Sequence, residues 1–407
     1  METVRAKGIR PRFLMYLPNS RLSAFHNRSP WIMLPRSFHA LGYESTLVCA
    51  ELVTDPPGGV HVVQTGLAVR TQGSLLKRGL LRSLIEPLLT FREIVNRKPD
   101  VVIVAPLRSS FFTFALLLVF YRAVFTSSAC FIMKADTSLD DSTSSPLIIL
   151  LSHGLLAISS RLLDLISLET SCAVKRAQEI PGVSRYKVVR VPIGFPQGHI
   201  NLRTYEEVPR EPVILCVARI ARMKGQDVLL GAFVKIAGKY PRWSVRLVGP
   251  EEDLVFKREL VEYVASHGLQ GRVSFVGPVE ERVIDEEYAR AAIFCLPSVH
   301  SESAGQVKYE ATASGLPVVT TDVPCGQDDT DNGWMVARAG NAAHLAGLLE
   351  QLMRDEGARR SMVAQAQSRL ISYKGVASLY LSELDRLESG LRRDRRFGRR
   401  GQYSVER

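Results

Sequence analysis

Short apolar runs bounded by turn residues alternate with helical patterns along this chain. That alternation is the mark of βαβ units feeding a parallel sheet. In the first half the expected strands are Arg12 to Leu17, Ser45 to Cys49, Val60 to Val63, Val101 to Val104, Cys130 to Met133, Leu165 to Leu168 and Val188 to Val191. In the second half they are Val213 to Ala218, Ser244 to Val248, Val273 to Val276, Ile293 to Leu296, Val318 to Thr320 and Gly333 to Val336. The period occurs twice, so the chain predicts an α/β protein of two Rossmann-like domains. The breaker-rich run Val191-Pro192-Ile193-Gly194-Phe195-Pro196-Gln197-Gly198-His199, followed by polar residues 201–211, predicts the linker. The expected division is 1–200, then 201–372, then a closing helix and basic tail over 373–407.

Length and composition agree. At about 150 residues per domain, 407 residues exceed one hydrophobic core, and 46% apolar with 23% charged residues is ordinary for a folded globular protein. Of the six cysteines, Cys49, Cys130, Cys216 and Cys295 lie in or beside strand-like runs, which predicts buried free thiols rather than disulfides or a metal centre. Arg5, Lys7, Arg10 and Arg12 lead straight into Phe13-Leu14-Met15-Tyr16-Leu17, a pattern unlike a signal peptide, and the expectation is a cytoplasmic protein. The stretch from Phe111 to Phe125 is broken by Arg122 and falls short of the roughly 20 apolar residues that cross a bilayer, so a buried helix is expected there.

The net charge of +11 has a location. Residues 1–205 hold 24 Lys or Arg against 13 Asp or Glu, whereas the remainder hold 28 of each. Lys77, Arg78 and Arg82 stand among leucines at helical spacing, a basic amphipathic pattern that either lies on an anionic membrane surface or is simply a solvated helix face. No nucleic-acid-binding motif accompanies the charge. The run Arg392-Arg393-Asp394-Arg395-Arg396-Phe397-Gly398-Arg399-Arg400 is expected to be a mobile tail.

Three features of the second half converge on chemistry. Arg219 and Lys224 follow a strand and precede a helix expected from Gln226, which aims fixed positive charge at the cleft where open α/β sheets bind ligands. Solvated loop cations are the plain alternative. Next, Glu302-Ser303-Ala304-Gly305-Gln306-Val307-Lys308-Tyr309-Glu310 places small residues at a helix start, where free N–H groups and the dipole favour an anion such as diphosphate. A carboxylate there suits vicinal hydroxyls, although Glu302 could merely complement the dipole and Glu310 could be an ordinary solvated helix residue. Third, Gly315-Leu316-Pro317-Val318-Val319 stops that helix and starts a buried strand.

Arg219 through Lys224, the seven-residue separation of Glu302 and Glu310, Gly315-Leu316-Pro317-Val318-Val319 and Asn332-Gly333-Trp334 together resemble the retaining glycosyltransferases of family 4, which have the two-domain GT-B fold. The resemblance covers about residues 211–370. It implies that Arg219 and Lys224 neutralise the donor diphosphate, Glu310 holds the ribose hydroxyls and Glu302 faces the transferred sugar. It further implies that backbone groups of Gly305 and Gln306 touch phosphate and sugar, that Gly277 borders the nucleobase, and that no metal or other cofactor is needed. Asp140-Asp141 and Asp328-Asp329 are then turn residues.

The first domain departs from the family pattern. Where many members carry a His-Asp pair, this chain has Lys134-Ala135-Asp136-Thr137, leaving Asp136, Lys134 or neither for the position. Pro18-Asn19-Ser20 replaces the usual glycine pair, and Ile193-Gly194 stands where an asparagine is usual. The expected function is transfer of a sugar, of the hexosyltransferase class, from a nucleotide-sugar to a glycan or lipid-linked acceptor in envelope polysaccharide or glycolipid assembly. The alternatives are a GT-B sugar-nucleotide-binding protein without transfer, or a GT-B epimerase or phosphorylase. Expected partners are the donor, the acceptor and an anionic membrane surface, with no nucleic acid.

Overall fold

The computed structural model describes residues 11–22, 28–53, 56–65, 85–105, 117–118, 120–121, 124, 129–135, 146–197, 200, 202–300, 304–324 and 332–398. In the first domain the strands are β1 (Arg12–Leu22), β2 (Glu44–Leu52), β3 (His61–Gln64), β4 (Val101–Val104), β5 (Cys130–Ala135), β6 (Leu165–Leu168) and β7 (Val188–Arg190). They form one seven-stranded sheet in the order β3-β2-β1-β4-β5-β6-β7, and every neighbouring pair is parallel. Among the described residues the helices of this half include α1 (Pro30–Ala40), α2 (Glu86–Arg97), α3 (Pro146–Leu162) and α4 (Ser171–Glu179).

A parallel strand is covered on both faces, so its sequence is a continuous apolar run rather than an alternation. β4, Val-Val-Ile-Val, is buried at every position. Side chains still alternate in direction: Phe13, Met15, Leu47 and Ile103 pack in one core, while Leu14, Tyr16, Val48 and Val102 pack in another on the opposite face. One expectation is corrected. β1 does not stop at Leu17 but runs to Leu22, with its register on β2 shifting between Leu17 and Arg21. Pro18 has no N–H for the ladder, so the strand continues across it only as an irregularity.

The second domain repeats the plan with β8 (Val213–Val217), β9 (Ser244–Val248), β10 (Val273–Gly277), β11 (Ile293–Cys295), β12 (Val318–Thr321) and β13 (Met335–Ala337), ordered β10-β9-β8-β11-β12-β13. Its helices are α5 (Gln226–Ala237), α6 (Leu254–Ser266), α7 (Glu281–Arg290), α8 (Gln306–Ala313), α9 (Ala342–Arg354) and α10 (Glu356–Gln367). Asp253, Asn341 and Asp355 cap α6, α9 and α10, each accepting a backbone N–H at 2.9 Å; such caps contribute typically about 1 kcal/mol apiece.

The last helix, α11 (Tyr373–Gly398), returns to the first domain. Tyr373, Val376, Ala377, Tyr380 and Leu384 recur at helical spacing and are buried. The Tyr380 ring lies tilted, its centroid 6.3 Å from that of Phe38 of α1, and its hydroxyl lies 2.7 Å from that of Ser167 on β6. The run from Arg392 to Gly398 is helical, and Arg399 and Arg400 lie outside the described residues. The linker is also pinned: Phe195 N–H donates to Ile371 O at 2.9 Å, and Tyr373 N–H to Phe195 O at 3.3 Å. The described cysteines, Cys49, Cys130, Cys172, Cys216 and Cys295, are free thiols. Burial pushes the Cys49 thiol up to about 11. Of the Phe111 to Phe125 stretch, Leu118 and Tyr121 are buried, but Phe120 and Val124 are exposed, so the described part is amphipathic rather than buried all round. The basic pattern of Lys77, Arg78 and Arg82 lies outside the described residues.

Candidate functional site

In both sheets the strand order reverses direction beside the first strand, and ligands of open α/β sheets bind outside the carboxyl ends of the strands at that point. In the second domain the point lies between β8 and β11. The loop after β8 carries Arg219, and residues Arg222 to Lys224 close it in a 3-10 turn before α5. The carbonyl of Arg219 is held by Gln226 Nε2 at 2.8 Å. Its guanidinium is half exposed and pairs with Glu252, with Met223 Sδ 3.5 Å away. Lys224 is half-buried.

This loop interlocks with the one after β11. Val299 N–H donates to Met223 O at 3.0 Å. Gly225 adopts φ +66°, and a Cβ there would stand 2.0 Å from Pro297 O, so only glycine permits the approach. Beyond the second loop, α8 starts at Gly305, itself left-handed at φ +67° and with no side-chain cap. Among the described residues no side chain caps the N–H groups of Gln306 and Val307 at the mouth of the switch point, while that of Lys308 turns back to Gly305 O at 2.9 Å. At the end of β10, Gly277 has φ +78°, and a Cβ would meet nothing within 4 Å, so the backbone there borders open space.

The burial of Glu310 removes its plain alternative. Far from being a solvated helix residue, it is 6% exposed. Its Oε1 accepts from Gln306 Nε2 at 2.8 Å, its Oε2 accepts from Tyr288 OH at 3.2 Å, and Arg28 Nη1 of the first domain lies 3.7 Å from Oε2. Burial raises the Glu310 pKa, and the nearby Arg28 charge and the two hydrogen bonds only partly oppose that. Burial and the adjacent Glu310 also push the Tyr288 hydroxyl well up, so it stays a proton donor. Burial pulls Arg28 down, but the charges of Glu310, Asp285 and Glu281 and the hydrogen bond to Asp285 outweigh it, so the guanidinium is held charged.

The structure thus brings Arg219, Lys224, Gly305, Gln306 and Glu310 to the carboxyl ends of β8 and β11, with Gly277 at the end of β10. Glu302 and Asp136 lie outside the described residues, as do Asp140-Asp141 and Asp328-Asp329. Lys134, the other first-domain candidate, sits near the end of β5 in a buried ion pair with Glu169 at 2.8 Å, its Nζ 5.6 Å from the Trp31 ring. Sequence reasoning missed Arg28 and its acidic partners. A lone arginine in a turn carries no pattern, and its partners lie more than 250 residues away. Among the described residues no group of three or more His, Cys, Asp or Glu could hold a metal ion.

The chain is similar to known proteins. The family described as "Glycosyl transferases group 1" matches residues 201–369. The D-inositol 3-phosphate glycosyltransferase of Nocardia farcinica is 31% identical over 164 residues, 39% of this chain and 36% of that protein. The phosphatidyl-myo-inositol mannosyltransferase of Mycolicibacterium smegmatis is 33% identical over 157 residues, 37% of this chain and 38% of that protein. The match therefore spans little more than a third of these two relatives. Among solved structures, Anabaena Alr3699/HepE, crystallised with UDP and glucose, superposes with a TM-score of 0.70 at 15% identity, covering 92% of this chain and all of that one. Residues 201–369 thus match the glycosyl transferases group 1 family, in a chain that has the two-domain GT-B fold.

Proposed function

We propose that the protein moves a glycosyl group from a nucleotide-sugar donor to a glycan or lipid-linked acceptor, with retention at the anomeric carbon. One observation carries this reading: the cationic loop of Arg219 and Lys224 is interlocked with the loop leading to the uncapped start of α8, next to the buried carboxylate of Glu310. When the bond from the sugar to the diphosphate breaks, negative charge develops on the leaving group. Two cations and the first N–H groups of α8 already face that place, and charge stabilisation by groups that need not reorganise is usually what accelerates a reaction most. Arg219 must exchange Glu252 for the diphosphate. That pair is exposed, and exposed pairs are worth only about 0 to 1 kcal/mol, so the exchange costs little.

In this reading Glu310 takes the ribose hydroxyls, Glu302 faces the transferred sugar, Gly305 and Gln306 touch phosphate and sugar through their backbones, and Gly277 borders the base. Asp136 or Lys134 supplies the first-domain contact to the reacting sugar. The cations supply the charge that a divalent ion would otherwise bring, so transfer needs no metal. The names of the relatives, which act on D-inositol 3-phosphate and phosphatidyl-myo-inositol, support an acceptor of polar or lipid-linked polyol kind. No helix among the described residues is long and apolar enough to cross a membrane. Exposed Leu88, Phe120 and Val124 in the half of the chain that carries the net charge support peripheral contact with an anionic, cytoplasm-facing membrane.

The test is incubation with UDP-, GDP- and ADP-sugars, with free sugar and nucleotide separated chromatographically. One donor should stabilise the chain, by about 2.7 kcal/mol at 100 times its dissociation constant, and should hydrolyse slowly without acceptor. Affinity with no turnover in the presence of membrane extract would instead assign a binding role.

A further inference from the structure

Arg28 belongs to the first domain, in the turn before α1, yet its side chain is buried against the second. It is 6% exposed. Nε donates to Glu281 Oε1 at 2.7 Å, Nη2 donates to Asp285 Oδ1 at 2.6 Å, and Nη1 stands 3.7 Å from Glu310 Oε2. Glu281 and Asp285 are four residues apart on α7 and so share one face, while Glu310 comes from α8. The carbonyl of Arg28 accepts from Gln306 Nε2, the same amide that holds Glu310. Three carboxylates therefore meet one guanidinium whose rigid fork reaches all of them.

Two features exceed what a structural ion pair needs. Nη1 is buried and has no hydrogen-bond partner among the described residues, since 3.7 Å to Glu310 is an ionic contact and not a hydrogen bond. A buried N–H left open is costly unless a ligand oxygen completes it. Removing Arg28 would also take from Asp285 and Glu310 the guanidinium that faces both, beside the place expected to receive an anionic diphosphate.

We propose that Arg28 is a donor-binding residue supplied by the opposite domain: it neutralises and orients Glu310, and its Nη1 donates to the donor oxygen that Glu310 engages, so the seat is complete only when the two domains are closed. This rests on the reading of Glu310 as the carboxylate that takes the ribose hydroxyls. The groups facing Glu310 are Arg28, Tyr288, Gln306 and, further off, Asp285. Of these, Arg28 alone carries positive charge, so loss of Arg28 makes ionisation of Glu310 harder.

Arg28→Gln, Arg28→Lys, Glu281→Gln and Glu310→Gln, each in the full chain, are titrated calorimetrically with UDP and GDP over a pH series, with folding checked by circular dichroism. For whichever nucleotide the parent binds, Arg28→Gln should weaken binding tenfold or more and raise the pH at which binding is half lost. Arg28→Lys should recover little, since one ammonium cannot span three carboxylates. Glu281→Gln, which loosens the far end of the guanidinium without touching Glu310, should weaken binding about threefold. Small-angle scattering should show a larger radius of gyration for Arg28→Gln without nucleotide. Binding within twofold of the parent for Arg28→Gln, with Glu310→Gln impaired, overturns the role of Arg28 and leaves the donor seat standing. Parental binding in Glu310→Gln, or a parent that binds neither nucleotide, overturns the donor-seat reading and this proposal with it. Should Arg28→Gln fail to fold, parental affinity and pH dependence in both Arg28→Lys and Glu281→Gln overturn it.

Discussion

Replacing Glu310 with glutamine keeps the shape of the side chain and removes only its charge. Tyr288 OH can still donate to the remaining carbonyl oxygen, 3.2 Å from the hydroxyl in the parent, Gln306 Nε2 keeps the Arg28 carbonyl, and Arg28 keeps Glu281 and Asp285. The Gln306 Nε2 N–H that bonds Oε1 would face the new amide NH2, so one buried donor is stranded, but Arg28 keeps two carboxylates and the loss should stay below the roughly 3 to 5 kcal/mol that follows from breaking a buried pair. The expected change in stability is about 1 to 3 kcal/mol, the cost of one unsatisfied buried donor. Function should respond differently, because losing one preorganised charge contact typically lowers the rate by about 10² to 10³. The assay is the initial rate of donor turnover, with kcat and KM separated, beside thermal unfolding. A second readout is pH. Donor binding requires the carboxylate, and burial raises the Glu310 pKa, so the parent should lose affinity on acidification at a pH above the ordinary carboxylate range. The glutamine variant has no group to titrate there, and that acid limb should vanish. Turnover within threefold of the parent at an unchanged Tm would refute the assignment of Glu310 to the donor.

Lys224→Ala should lower transfer by about 10² to 10³ while leaving the circular dichroism spectrum intact, because the residue lies in a half-buried turn and not in the core; parental rates would remove it from the phosphate site. EDTA should leave donor binding and transfer unchanged, and a tenfold loss restored by Mg²⁺ or Mn²⁺ would show that the charge comes from a metal. The chain should sediment with anionic vesicles and not neutral ones, and release as salt rises, since exposed charges are screened over about 8 Å at physiological ionic strength. Exchanging Lys77, Arg78 and Arg82 for glutamine should weaken that association by about 1 kcal/mol per charge. Equal sedimentation of that variant would make the basic run a solvated helix face.

Strand positions were legible because a parallel strand is buried on both faces and leaves a compact apolar run. Val101–Val104, Leu165–Leu168 and Ser244–Val248 stand where the pattern puts them. β1 was read short because Pro18 is a local stop signal, whereas the pairing that overrides it comes from β2. The placing of Arg219, Lys224, Gly305 and Glu310 at one switch point followed from local spacing. The burial of Glu310 did not, since it depends on Arg28 and Tyr288, which no helical or strand period links to it. How far the closing helix runs into the basic end of the chain was not legible for a similar reason. Charge predicts solvation, but a helix anchored at Tyr373 and Tyr380 extends through charged residues to Gly398.

The chain crosses between its domains twice, once at the linker and once entering α11, and the two crossings are tied to each other where Phe195 bonds to Ile371 and Tyr373. Gly194 sits so close that a Cβ would lie 2.8 Å from Tyr373 N. Two adjacent strands of backbone, bonded side by side, resist twisting and shear far more than a single flexible tether, while still allowing bending about the line they share. Opening and closing of the cleft is thereby confined to something like the swing of a door. Arg28, on the first domain, would then meet Glu281, Asp285 and Glu310 along a repeatable arc instead of by random encounter. Cutting the chain at 372 would remove one side of that frame together with the cover that α11 lays over Phe38 and Ser167. The donor domain would keep its own sheet, while the first domain would lose both its lid and its alignment.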